Sequence, residues 1–339
     1  MAQVRAFVAD RYGTTAGHSL TPAGAGEWSQ AYAFTVNAGL VSATSADEGY
    51  RSIAPAVPGA PSTSGTADLV IRFGRHREDF AKDRAMGELV SSQAAGALPV
   101  PRVLEIGDTP WGFFVTAERC YGQYLDQLDG DEMRDTLPAL LRTLDTIAAL
   151  VPPGPGFGPW SPDGAAPFTS WRDALLAIGQ EQPRTAGWRE LLDGRPAAAA
   201  VFRRGLAGLE RITAGLDAPR RFVHGDLLNR NVLVRTGDGA GAVTAVLDWG
   251  NSQYGDPLYD LAWLLFWWPW YPRWSAIDIG DVIQAHLATK GPGPTDADRR
   301  LLAYQLHIGL DHLAYNAFTR RWESLDRVAD QTDELLRRC

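Results

Sequence analysis

The chain has 339 residues, 45% of them hydrophobic and 21% charged, which is too long for one compact domain and apolar enough to bury a sizeable core. Thirty-two Lys and Arg against 40 Asp and Glu give a net charge of −8 with no basic stripe, which argues against a nucleic-acid partner and suits a cationic ligand. Two cysteines, Cys120 and Cys339, make neither a disulfide framework nor a zinc site. The apolar run Leu261 to Tyr271 is too short for a bilayer, and MAQVRAFVAD lacks an apolar core of signal-peptide length. A cytoplasmic globular protein is expected.

Residues 1–118 read as short strands plus one helix. Ala31 to Val36 alternates in the strand manner, and Asp68 to Phe73 is a compact β-rich run. Between them, residues 42–67 are rich in Ser, Thr, Gly, Ala and Pro and lack the periodicity to pack, so a mobile hairpin insertion is expected there. Residues 78–95 have helical character and stop at Gly96. Two more strand candidates follow, Arg102 to Ile106 and Trp111 to Thr116. From Gly122 the period turns helical, through 133–151, 170–181, 196–215 and much of 256–337. One β island interrupts it: Val232 to Val234, a Gly-rich turn at 237–241, then Val243 to Leu247. The class is α+β, with a β-rich lobe over 1–118 and a larger, mainly helical lobe over 119–339.

The chemistry lies on the flanks of that island. Upstream stands Phe222-Val-His-Gly-Asp-Leu-Leu-Asn-Arg-Asn231; downstream stand Val246-Leu-Asp-Trp-Gly250 and Gly255-Asp-Pro-Leu-Tyr-Asp-Leu-Ala262. A loop carboxylate at Asp226 is suited to accept a hydroxyl proton. The amide oxygen of Asn231 and the carboxylate of Asp248 are ligands for a hard cation, which makes magnesium the expected metal. Base and metal ligands on one hairpin are recurring parts of a phosphoryl-transfer site. Asp256 before Pro257 reads as a helix start.

These motifs resemble the aminoglycoside phosphotransferase family, which has a protein-kinase-like fold of two lobes; HGDLLNRN and LDWG look like its catalytic-loop and metal motifs. Gly26 to Phe34, Phe80 to Arg84, Leu98 to Pro101, Gly156 to Pro159, Thr169 to Asp173, Phe266 to Trp270 and Ile308 to Asp311 are similar to the branch that phosphorylates hygromycin B. The insertion at 42–67 and Asn251, where an acidic residue is expected, depart from it.

The resemblance implies ATP, with GTP the alternative, and Mg2+ as cofactors. It implies O-phosphorylation of a small cationic antibiotic, hygromycin B at its 4-hydroxyl foremost, by a monomer that binds neither nucleic acid nor membrane. The rivals are a small-molecule kinase for an amino sugar, a choline-like alcohol or another antibiotic, and a catalytically silent ligand-binding pseudokinase. Asp226 is then the base and His224 the brace of its loop. The turn Gly24 to Ser29 would cover phosphates with its backbone and the Ser29 hydroxyl. Arg72 stands where kinases have a phosphate-holding Lys, with Lys82 as its rival. Glu88 lies at a reasonable reach to pair with Arg72, and Asp83 competes for that place. Adenine would meet the backbone around Ala117, Arg119 and Cys120. Asp260, Trp267 and Asp311 are expected on the substrate side.

Overall fold

The computed structural model describes residues 1–26, 28–39, 41, 65–237, 241–291 and 296–338; residues 42–64 of the expected insertion and 238–240 of the expected turn lie outside them. The chain forms two compact units, Met1–Gly122 with Thr244–Gly250, and Gln123–Val243 with Asn251–Cys339.

The first unit is built on a five-stranded sheet in the order β1-β2-β3-β5-β4, with β1 Thr21–Ala25, β2 Ser29–Asn37, β3 Thr66–Gly74, β4 Val103–Thr109 and β5 Gly112–Glu118. All four pairings are antiparallel. Alternation sorts the side chains of β3. Leu69, Ile71 and Phe73 enter a core with Phe34, Val36 and Phe114, while Arg72 takes the opposite face. Two helices missing from the sequence reading, α1 Ala2–Tyr12 and α2 Thr14–Ser19, supply Val8, Tyr12 and Ala16 to that core. Their signal was present: Val4, Phe7, Val8 and Tyr12 fall at helical spacing, but a run this short competes poorly with the turn residues after it. Helix α3, Arg77–Gln93, buries Phe80, Met86 and Val90 and serves the Arg72 face.

The second unit is mainly helical: α4 Gly130–Ala149, α5 Trp171–Leu176, α6 Trp188–Asp193, α7 Pro196–Ile212, α8 Leu258–Trp267, α9 Ile279–Ala288, α10 Ala297–Phe318 and α11 Trp322–Leu336. Asp129 starts α4 with a reciprocal cap on Glu132, and Ser170 and Asp278 cap α5 and α9 through their side chains. Helix α10 is buried along most of its length and packs against α7, α8 and α11. Gly309 permits the last approach, since a Cβ there would fall 2.3 Å from Thr332 Oγ1. Two small β features frame the motif loop. Strand β8, Arg221–Val223, pairs antiparallel with β11, Gln253–Gly255, which also pairs with β7, Gly158–Pro159. Strand β9, Val232–Arg235, pairs with β6, Gln123–Tyr124, and the chain crosses to the sheet unit within β10, Ala242–Val246. No helix among the described residues is long and apolar enough to cross a membrane.

Candidate active site

In the helical unit, the His-Gly-Asp loop leaves β8 and is fixed from beneath. Leu227 and Leu228 are fully buried and anchor it. Gly225 turns the chain at φ +73°, in the left-handed region that favours glycine. His224 is fully buried; its backbone N–H donates to Asp260 Oδ2 at 2.9 Å, and the N–H of Gly225 donates to Asp260 Oδ1 at 2.8 Å. His224 Nδ1 accepts the N–H of Asp226 at 3.3 Å. Asp226 itself is half-buried. Asn231 Nδ2 donates to the Asp226 carbonyl at 2.7 Å, so its Oδ1 is the atom available to a cation. Asn251, noted in the sequence only as a departure, approaches Asp226 Oδ2 with its amide at 3.5 Å. The Tyr271 hydroxyl, pushed up by burial, also feels the charges of Asp126 and Asp226.

Asp260 requires a correction. The resemblance placed it on the substrate side, but it is 3% exposed and both carboxylate oxygens are spent on the loop backbone. Burial lifts its carboxyl to about 6, and the two N–H donors hold it from rising further. Asp256 caps the start of α8 by accepting the Leu258 N–H, and its other oxygen takes Arg300 at 3.1 Å and the Tyr304 hydroxyl at 2.7 Å. Nothing in the local sequence pointed to those last two partners, which come from a helix more than 40 residues on.

Trp267 and Asp311 gather around one residue. The Trp267 ring lies 4.5 Å from that of His312, centroid to centroid, and the Asp311 carboxylate is 3.8 Å from His312 Nδ1. The Asp311 side chain is 50% exposed. The indole N–H groups of Trp263 and Trp267 are buried and have no partner among the described residues. Burial holds the imidazoles of His307 and His312 below the ordinary range, His307 at about 4.

In the sheet unit, Arg72 sits opposite Ala31 and Val115 in the strand register, and its NH2 meets Asp83 Oδ2 at 2.5 Å. Glu88 is therefore not its partner. It lies five residues beyond Asp83, well around the helix, and is exposed. Arg72 Nε is buried and donates to nothing among the described residues, which leaves a donor for a phosphate oxygen. Burial raises the Asp83 carboxyl above the ordinary carboxylate range, while the Arg72 guanidinium pulls it back down. Asp83 Oδ1 also accepts the N–H of Trp249 at 2.9 Å. Asp248, the residue before, has φ +60°, an unfavourable region for a non-glycine residue costing about 1–2 kcal/mol. Such strain persists where neighbouring groups impose it.

Ser29 opens β2 opposite Gly74, and its carbonyl accepts the Gly26 N–H at 2.9 Å, closing the turn. Where β5 ends, the Glu118 N–H donates to Arg102 O and the Arg119 N–H to Asp68 O. Those two donors are thus engaged within the protein. Ala117 pairs with Val70 and Val103, and Cys120 is half-buried, its thiol pushed up to about 11 by burial with Glu118 nearby.

A loop aspartate with a backbone-bound asparagine, a strained aspartate after a strand, and a strand arginine paired to a helix carboxylate are the parts of a kinase-like phosphotransferase. The family model described as APH, phosphotransferase enzyme family, matches residues 62–304, and the chain belongs to that family. It is 29% identical over 277 residues to the hygromycin-B 4-O-kinase of Escherichia coli, covering 80% of this chain and 75% of that one. Among solved structures it is similar to a thermostable mutant of aminoglycoside phosphotransferase APH(4)-Ia in ternary complex with AMP-PNP and hygromycin B, with a TM-score of 0.75 and 27% identity over 99% of this chain and 98% of that one. The apo form of that mutant gives a TM-score of 0.76 at 27% identity, covering 98% of each chain. The wild-type aminoglycoside 2'-phosphotransferase-IIIa, solved with GDP, shares the fold at 16% identity and a TM-score of 0.64, over 99% of this chain and 98% of that one. The α+β, protein-kinase-like class expected from the sequence is the class found.

Proposed function

We propose that the protein transfers the γ-phosphoryl group of ATP to the 4-hydroxyl of hygromycin B and so inactivates it. The reading is carried by the likeness to hygromycin-B 4-O-kinase over four-fifths of the chain. The loop that presents Asp226 supports it. Asp226 orients the acceptor hydroxyl and takes its proton as the oxygen attacks phosphorus; the bond from phosphorus to the bridging oxygen breaks and ADP leaves. Arg72, held by Asp83, offers its buried Nε to a phosphate oxygen. The lobe expected over 1–118, with the stretch through Cys120 that follows it, is assigned to the nucleotide, and the rest of 119–339 to the catalytic loop, the metal and the acceptor, with the Ser29 turn over the phosphates. Adenine would use carbonyl oxygens near Ala117 and Arg119 and the backbone of Cys120, since two N–H groups there are engaged.

Mg2+ would take the Asn231 amide oxygen and the Asp248 carboxylate as ligands, each a hard oxygen donor of the kind it prefers, and would supply charge neutralisation for the phosphates. Asp311 and the Trp267 face supply a carboxylate and an aromatic wall for an ammonium-bearing ring. A phosphoryl group adds about −1.5 to −2 of charge, which would spoil the fit of a cationic drug to an anionic target. We take the protein to act as a cytoplasmic monomer.

The test is incubation with Mg2+, ATP or GTP, and a panel of aminoglycosides, each followed by mass. Gain of one phosphoryl group on hygromycin B is expected. Transfer only to other acceptors would point to a different small-molecule kinase, and no transfer with intact nucleotide binding would point to a silent binding protein.

A further inference from the structure

Lys82 is the second basic residue that the sequence set beside the phosphates, and its surroundings in the sheet unit assign it another task. It is 6% exposed, and its Nζ donates to the carbonyl oxygen of Gly250 at 2.9 Å. Its neighbour Asp83 accepts the N–H of Trp249. Consecutive residues of α3 thus hold the two consecutive residues that follow Asp248, one by a carbonyl and the other by an amide. Asp79, one turn earlier on the same face of the helix, packs against Gly250, where a Cβ would fall 3.2 Å from its Cγ. These contacts surround the positive φ of Asp248, and a conformation of that kind lasts only where its neighbours fix it.

A neutral donor would satisfy a carbonyl at lower desolvation cost than a buried ammonium. The charge has a use of its own. Asp79, Asp83 and Asp248 all act on Arg72, so carboxylates outnumber the guanidinium they surround. The ammonium of Lys82 brings a second positive group to this helix face while it pins the turn. We propose that Lys82 is a positioning residue that locks the Asp248-Trp249-Gly250 turn with the Asp248 carboxylate set for the metal, and is not a ligand of the phosphates. The proposal rests on the reading of Asp248 as a magnesium ligand in phosphoryl transfer.

The test uses the full chain with Lys82→Met, which keeps the apolar stem without the donor, and Lys82→Gln, which keeps a neutral donor. Binding of a fluorescent ADP analogue is measured without metal and then across a Mg2+ titration, beside kcat, KM for ATP and thermal melting. For Lys82→Met, metal-free affinity is expected within about threefold of wild type, while the Mg2+ midpoint rises about 10-fold or more, the scale for losing a residue that orients a metal ligand. Its kcat should recover in part at excess Mg2+, and Lys82→Gln should be the milder of the two. If Lys82→Met does not fold, the same two titrations on Lys82→Gln decide. A 10-fold loss of metal-free affinity with an unchanged Mg2+ midpoint would make Lys82 a phosphate ligand and overturn the proposal, as would wild-type behaviour in both variants. Wild-type protein whose nucleotide binding ignores Mg2+ would overturn the metal reading as well. Wild-type protein that binds Mg2+-nucleotide yet phosphorylates no aminoglycoside would overturn the acceptor assignment alone.

Discussion

Asp226 and Asp248 each stand in a loop just beyond a short strand, and in each case side chains grip the loop by its backbone, but the two grips differ in kind. The Asp226 loop is held by a buried carboxylate, Asp260, that accepts two N–H groups, and by the imidazole of its own His224. The Asp248 turn is held by charged residues of α3, among them an Arg-paired Asp83 and a buried Lys82. Burial sets the first grip, which therefore answers little to salt or to arriving ions. The second is an electrostatic balance, and each added cation or phosphate shifts it. A base must be pre-aimed, whereas a metal ligand has to respond to the metal.

Breaking the electrostatic side should have the largest effect. Asp248→Ala is expected to abolish the Mg2+ dependence of nucleotide binding, because one amide oxygen is too weak a ligand set; an unaltered Mg2+ titration by calorimetry would remove Asp248 from the metal site. Asp226→Asn comes next, with turnover lowered by roughly 10² or more while melting temperature and nucleotide affinity hold. Near-normal turnover with an unchanged pH profile would show that the base lies elsewhere.

Asp260→Asn sharpens the comparison, since the new NH2 would face a backbone N–H. We expect kcat to fall about 10-fold with KM little changed, in line with about 1–3 kcal/mol for a buried group left unsatisfied. The pH dependence gives a second check. Burial raises the folded-state pKa of Asp260 from the ordinary carboxylate value of 3.8 to about 6, so the folded state binds the extra proton between those values. Its contribution to stability is full below the unfolded value and lost as pH rises through about 6. The melting-temperature gap between wild type and Asp260→Asn should therefore narrow from pH 4 to pH 7; a constant gap would mean that Asp260 does not titrate in this window. The smallest effect is expected at Glu88, where Glu88→Gln should leave ATP kinetics within about twofold, as for an exposed helix position. A rise in KM for ATP there would restore it as a partner of Arg72.

These pairs also show what a sequence can disclose. The two motif loops were legible because Asp, Asn and Gly at fixed spacing have few bland explanations, and β2 and β3 were legible through alternation. The direction of a single carboxylate was not. Asp260 falls on the same face as Asp256, yet nothing local says whether that face meets a ligand or a buried backbone. Asp83 and Glu88 are equally acidic and equally helical, and only the placing of α3 against the Arg72 face separates them. Helices α1 and α2 were lost because their apolar residues are few and acquire meaning only against the sheet.

The passage of residues 244–250 into the sheet unit has a consequence for inheritance. That heptapeptide is bound to residues encoded far upstream: the Val246 N–H to Pro99 O, the Thr244 hydroxyl to Tyr121 O, and the Gly250 carbonyl to Lys82. A genetic crossover anywhere from codon 123 to 243 would join one parent's α3 to the other parent's Asp-Trp-Gly turn. Hybrids between diverged relatives should fail at such junctions even when every helix of the second unit is intact, and survive when the upstream and downstream pieces come from the same parent. The α3 helix and the turn, 166 residues apart in the chain from Asp83 to Trp249, must change together.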